Sequence, residues 1–415
     1  MNNVFISIIF GLFVFSILGF LAISIYVNNP IKEEGDVNLS MVIYFHETYE
    51  ENRKQFRRLA ASLKNRFDDV EIARYFVKSK VDTDLSIDTV YIPAQNGARK
   101  LLIMSSGVHG MEGFTGSAVQ RFFMNKVLDG DVLQNMGVLL IHAINPYGFK
   151  YERRVSENNV DMNRNFDTNK DLLARKNDGY RGLYLFLNPE KKCHAGYFGN
   201  ALFFMKTVYY IFRHGMPTLR QSMLQGQYEF RRGIFYGGND FEPQKEWLEQ
   251  LILEKTRGYE SIFVIDIHTG LGERGKLHFL PGHVPDEKRI TLLKEMFRDF
   301  QIDWQDPKKD FYPYSGGFRD YIGKLISTDK RFIKMGFEFG TLDSQKSTGS
   351  VRSLHNMILE NQGFHHGYKN EKVKKSVKKR FREMFFPSSK IWRSHVIAQT
   401  SEVFPVLIKR YAELN

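Results

Sequence analysis

LLIMSS runs from Leu101 to Ser106, and GVHGMEG follows it from Gly107 to Gly113. Six uncharged residues, four of them large and apolar, read as a strand buried on both faces. The glycines behind it permit tight backbone geometry where the chain leaves the sheet. His109 and Glu112 stand three residues apart. In a turn or the first turn of a helix their side chains point the same way, as two ligands of one metal must.

Working outward, the same kind of run recurs. GVLLIHAI (Gly137 to Ile144), SIFVIDI (Ser261 to Ile267) and FIKMGFEF (Phe332 to Phe339) read as three more buried strands. Val70 to Val77 and Ser86 to Pro93 read as flanking strands. Between them, helical periodicity marks Glu50 to Phe67, Phe114 to Leu128, Pro243 to Arg257, Glu287 to Phe300 and Val351 to Gln362. Short apolar strands alternating with amphipathic helices predict an α/β fold. Its central sheet is mixed but mostly parallel, with helices on both faces. Residues 167–240 break this rhythm with a long, irregular, aromatic-rich stretch, which reads as an insertion or lid.

In open α/β sheets, sites lie at the carboxyl ends of strands. Besides His109 and Glu112, the SIFVIDI strand ends in His268, and the last buried strand carries Glu338 between Phe337 and Phe339. Two histidines and one glutamate are a set that leaves zinc an open position. Asp266, two residues before His268, can orient that ring. A carboxylate inside an apolar strand is costly unless it is used, and general-base work is a use that burial favours by raising its pKa. Between these segments NNVDMNRNF, Asn158 to Phe166, is dense in donors. Arg153, Arg154 and Arg164 are suited to a carboxylate or a carbonyl oxygen.

These segments, in this order, resemble the zinc carboxypeptidase family. Its pattern is His-x-x-Glu after a strand, Asn-Pro-x-Gly, Asp-x-Asn-Arg-Asn-Phe, a later strand-end His, and a Glu on a last core strand. Here stand His109–Glu112, Asn145–Gly148, Asp161–Phe166, His268 and Glu338, with Tyr312 three residues before Ser315-Gly316-Gly317. The resemblance covers roughly residues 95–345. The stretch at 167–240 resembles a poorly characterised bacterial branch related to the family's deacylases. It implies one zinc per chain on His109, Glu112 and His268, with zinc-bound water activated by Glu338 as general base and acid. It implies that Asn163 and Arg164 hold a terminal carboxylate and that Tyr312 closes over it. Arg154, with Arg153 in reserve, polarises the scissile carbonyl. Arg319, two residues after Ser-Gly-Gly, falls on the pocket floor and would select an acidic terminal side chain. The implied activity is a carboxypeptidase-type metallopeptidase, a hydrolase cleaving a peptide or amide bond next to a free carboxylate. The alternatives are an N-acyl amino acid deacylase and a membrane-tethered, non-catalytic binding module.

Composition bounds the rest. Cys193 is the single cysteine, which excludes an internal disulfide framework and a Cys-based zinc knuckle. The formal charge of +12 would suit an anionic partner. Much of it is local: Lys369 to Arg382 holds eight Lys or Arg against one Glu, 8 − 1 = +7, and reads as a solvated helix face or a tail near a membrane. No nucleic-acid partner is expected. GLGERG (Gly270 to Gly275) spells a dinucleotide fingerprint, but KLHFLP behind it opens no helix. There is no G-x-S-x-G and no P-loop. His365-His366 lacks a nearby carboxylate and reads as surface. Val4 to Val27 is 24 residues without a charge, enough to cross a bilayer as a helix. Its length and the absence of a basic leader favour an uncleaved anchor over a signal peptide. The organisation expected is therefore a membrane anchor at 1–29, inserted in the bilayer through residues 4–27. A catalytic body at 30–415 follows, with the insertion at about 167–240 and a basic C-terminal extension from about 365. A single-pass protein with its body on the extracytoplasmic side is expected.

Overall fold

The computed structural model describes residues 33–284, 286–304 and 314–414, with Leu18, Gly19, Ala22, Ile25 and Ile31 ahead of them. Apart from those isolated positions the predicted anchor at 4–27 lies outside the described residues, as does Tyr312. Among the described residues no helix is long and apolar enough to cross a membrane.

Seven strands form one sheet: β1 (Glu71–Phe76), β2 (Ser86–Ile92), β3 (Lys100–Ser106), β4 (Gly137–His142), β5 (Ser261–Gly270), β6 (Leu277–Leu280) and β7 (Arg331–Gly340). Their order is β1-β2-β4-β3-β5-β7-β6. The central four, β4, β3, β5 and β7, run parallel. The outer strands β1, β2 and β6 pair antiparallel. This is the mixed α/β sheet expected from the sequence. β6 follows directly on the GLGERG stretch at Gly270 to Gly275, so a strand stands where that motif needs a helix.

Around the sheet lie α1 (Tyr49–Leu63), α2 (Gly113–Phe122), α3 (Asp178–Leu187), α4 (Tyr197–His214), α5 (Met216–Leu224), α6 (Gln244–Thr256), α7 (Phe318–Leu325), α8 (Ser347–His366), α9 (Glu371–Phe385) and α10 (Lys390–Glu413). Strand alternation sorts the core into two faces. Leu102, Met104, Val138, Leu140, Phe263 and Ile265 pack under α1, α2 and α10. Leu101, Ile103, Leu139, Ile141, Ile262 and Val264 pack under α6 and α7. Each such side chain, fully buried, contributes roughly 1.5–3 kcal/mol. The parallel register then carries Asp266 and His268 of β5 alongside Gly336 and Glu338 of β7. Asp266, His268 and Glu338 therefore share the α6/α7 face at the carboxyl end of the sheet.

The basic run at 369–382 is not simply solvated. It forms most of α9, whose Val377, Phe381, Met384 and Phe385 are buried. Lys378 pairs with the buried Glu360 of α8, and Arg382 pairs with Glu47 and Glu152. The amphipathic period places these apolar residues on the sheet and turns most of the lysines outward.

Candidate active site

The turn after β3 depends on close backbone approach. Any side chain at Gly110 would meet the carbonyl carbon of Gly148 at 2.1 Å. The two glycines therefore let the His109–Glu112 turn lie flat on the Asn145-Pro-Tyr-Gly148 helix start. The amides of Gly110 and Met111 donate to the carbonyls of Arg154 and Arg153, both at 3.0 Å. Asn145 caps its own helix through Gly148 N (2.9 Å) and also donates to the Arg154 carbonyl (3.2 Å). The sequence motifs are thus one folded unit.

His109, Glu112 and His268 converge, with one potential ligand atom from each lying within 4.8 Å of the others. Glu112 stands between the two rings. One carboxylate oxygen is 2.8 Å from His109 Nδ1 and the other 2.8 Å from His268 Nδ1. The far nitrogen of each ring meets a second, fully buried carboxylate. His109 Nε2 is 3.1 Å from Asp161, and His268 Nε2 is 2.6 Å from Asp266. Ser105 donates to the other oxygen of Asp266 (2.7 Å). Burial pushes the Glu112 carboxyl up, but the adjacent imidazoles overcome it and hold the group well below its ordinary range. Burial likewise opposes charge on His268, yet Asp266 and Glu112 raise its pKa well above the usual imidazole value. Two nitrogens and a carboxylate, converging and backed by fixed carboxylates, suit a dication that would take the place of the protons between them.

The two arginines left open by the sequence separate cleanly. Arg153 is buried against Glu360 (3.0 Å) and Asn159 (3.2 Å), with its guanidinium 3.5 Å from the Phe364 ring centre, away from the cluster. Arg154 reaches the cluster. Its guanidinium is 2.7 Å from His109 Nε2, 3.4 Å from Glu112 and 3.2 Å from Asp161.

Glu338 lines the same pocket and accepts from the Leu271 amide (2.8 Å). Burial, reinforced by the charge of Glu112, pushes its carboxyl up to about 7. Asn163, Arg164 and Arg319 also line the pocket. Asn163 Oδ1 accepts from Phe318 N at 3.0 Å. Arg164 lies over the Tyr314 ring at 4.3 Å and donates to the Leu224 carbonyl at 2.6 Å. Arg319 donates to the Leu280 carbonyl (2.5 Å) and approaches the Tyr314 hydroxyl (3.4 Å). Its guanidinium covers Gly336, where an added Cβ would fall 2.6 Å from Nη1. Asp320, next in sequence, is taken by Lys334. Both arginines are buried, and neither has an ion-pair partner among the described residues.

The sequence reading missed several lining residues. Tyr314 lines the pocket and adjoins the Ser-Gly-Gly signal. Asp161 and Asn165, inside a quoted motif without a role, do not line the pocket but hold His109 and the insertion backbone. Leu224, Phe235 and Phe385 came from segments read as insertion or extension, and no local signal points them at the pocket.

Among known families, the one described as "Protein of unknown function (DUF2817)" matches residues 45–399. No curated protein matches the chain. Solved structures resembling it include carboxypeptidase A from Helicoverpa armigera, with 15% identity, TM-score 0.43, and 81% of this chain and 74% of that one covered. Bovine thrombin-activatable fibrinolysis inhibitor, in complex with tick carboxypeptidase inhibitor, gives 14%, 0.44, 86% and 99%. Murein-tripeptide amidase MpaA from Escherichia coli O157 gives 16%, 0.34, 72% and 93%. At these distances a functional reading has to come from the site itself.

Proposed function

The chain belongs to the DUF2817 family, and we propose that it is a zinc-dependent hydrolase cleaving an amide bond next to a free carboxylate. The observation that carries this is the convergence of His109 Nδ1, Glu112 and His268 Nδ1, each ring backed by a buried carboxylate. Zinc held by these three residues would supply a Lewis acid that polarises a carbonyl and eases the ionisation of water. Glu338, ionised, takes a proton from water and returns it to the leaving nitrogen. Arg154 stabilises the negative charge that develops on the carbonyl oxygen. Arg164 and Asn163 hold the substrate carboxylate.

The pair of buried arginines narrows the substrate. Neither guanidinium makes an ion pair among the described residues, though the carboxylates of Asp266 and Asp320 favour the charge on Arg319 from further off. Arg164 and Arg319 flank one tyrosine in one pocket, so a ligand with two carboxylates satisfies both. A terminal Glu or Asp has that form, with its α-carboxylate on Arg164 and its side chain on Arg319. The rest of the wall includes Met223, Leu354, Met357, Met384 and Phe385. That apolar surface favours the second reading, an N-acyl amino acid as substrate. The body, tethered by residues 4–27, would work on the extracytoplasmic side.

The test is metal analysis with kinetics on acyl- and peptidyl-amides ending in Glu, Leu and Lys. About one zinc per chain, lost in His109→Ala and in His268→Ala, is expected, with kcat/KM highest for Glu. Full zinc occupancy in either variant would overturn the ligand set. A Glu preference that survives Arg319→Ala would remove Arg319 as selector.

A further inference from the structure

Lys191 to Tyr228 contains five Lys or Arg and no Asp or Glu. The stretch folds largely as α4 and α5. The inner face of α4 is fully engaged: Ala201, Phe203 and Thr207 are buried. Phe203 stacks 4.1 Å from His355 of α8 and 5.5 Å from Phe186 of α3. The outer face holds Met205, Val208, Tyr209 and Phe212, spaced i, i+3, i+4 and i+7 as one helical stripe. These four are exposed by 48%, 65%, 54% and 91%. Single exposed apolar residues are ordinary, whereas a continuous stripe marks an interaction surface. Lys206 and Arg213 border it and are exposed.

We propose that the outer face of α4 lies on the surface of an anionic phospholipid bilayer. The stripe would enter the boundary between headgroups and acyl chains, with Tyr209 at the level of the headgroups and Lys206 and Arg213 on lipid phosphates. The helix does not meet the requirements of a membrane span, so it would lie in the plane. The same chain carries the 24 uncharged residues Val4 to Val27. A body tethered there meets the bilayer at high effective concentration, so a modest contact suffices. Charge selects this occupant over a second copy of the chain. A twofold contact through α4 would press Lys206 and Arg213 of two copies towards each other, with no Asp or Glu between Lys191 and Tyr228 to pair with them. α5 follows after Gly215 and puts Arg220, Met223 and Leu224 on the pocket wall. One lid would thus face lipid on its outer side and substrate on its inner side.

The experiment uses the full chain in lipid nanodiscs holding one chain each, made of phosphatidylcholine alone or mixed with phosphatidylglycerol. Phe212→Cys carries a polarity-sensitive fluorophore, and Cys193 is buried and does not compete for it. The label should emit further to the blue and be quenched by bilayer-embedded quenchers in the anionic discs, several-fold more than in the neutral ones. Lys206→Glu with Arg213→Glu, both on exposed positions, should return it to water. A label quenched only from the aqueous side in both discs overturns the proposal. So does protection that appears only when many chains share a vesicle, because the occupant is then a second copy.

Discussion

Two halves of the site are built on different principles. The half on the strand ends, with His109, Glu112, His268 and Glu338, is buried to within 8% exposure. Each of its imidazoles is fixed by a dedicated carboxylate. The half on the insertion meets the pocket mostly through a main-chain carbonyl, that of Leu224, and through apolar side chains such as Met223 and Phe235, with Arg220 as a charged exception. Strand-borne chemistry demands particular side chains in particular positions. Lid contacts made by backbone and apolar surface can be supplied by many sequences. The first half should therefore break sharply on single substitutions, and the second should loosen by degrees.

The largest effect belongs to Glu338. Glu338→Gln should leave the zinc content unchanged and lower turnover by roughly 10²–10⁴-fold, because an amide accepts no proton from water. Near-normal turnover would place the base elsewhere. The same residue sets an acid limb. Its carboxyl is pushed up to about 7 and works ionised, so kcat/KM should fall as pH drops through that value. A bound dication opposes the burial and the Glu112 charge, which places the limb at or below 7. In Glu338→Gln the limb should vanish from the residual activity.

Next come the carboxylates behind the rings. Asp266→Asn and Asp161→Asn keep the shape but replace the buried charge that orients each imidazole. Zinc affinity should fall about 10–100-fold in each, measured by competition with a chelator. Unchanged affinity in both would mean that the rings are held by packing alone.

The same contrast governs what could be read from the sequence. The four parallel strands were legible because each is a short, mostly apolar run, and the ligands were legible because they sit where those runs end. Asp266 was readable as a neighbour of His268 on one strand face, and the 2.6 Å contact bears that reading out. Arg154 was preferred to Arg153 only through the family resemblance, since adjacent loop residues point apart only once the partner Glu360, some two hundred positions away, is in place. α10 went unread because its pattern is broken by Pro405 and its anchor, Trp392, bonds to the Gly340 carbonyl at the end of β7 (2.8 Å). Phe385 and Leu224 reach the pocket through tertiary packing that no local period encodes.

The smallest effect tests the seam between the halves. Asn165 is buried beside Arg164 and holds the returning end of the insertion by three bonds. Its amide donates to the carbonyls of Gly237 (2.7 Å) and Asp240 (2.9 Å), and its oxygen accepts from Glu242 N (2.7 Å). At about 0.5–1.5 kcal/mol each, their loss in Asn165→Ala would loosen the insertion by about 1.5–4.5 kcal/mol. None of the three touches the ligand cluster. The expected outcome is faster hydrogen exchange across residues 178–242 and a KM raised several-fold. Zinc content should stay the same and kcat should stay within a few-fold of wild type. Zinc loss would instead show that the insertion and the strand ends fold as one cooperative unit, and the division between rigid and replaceable halves would fall.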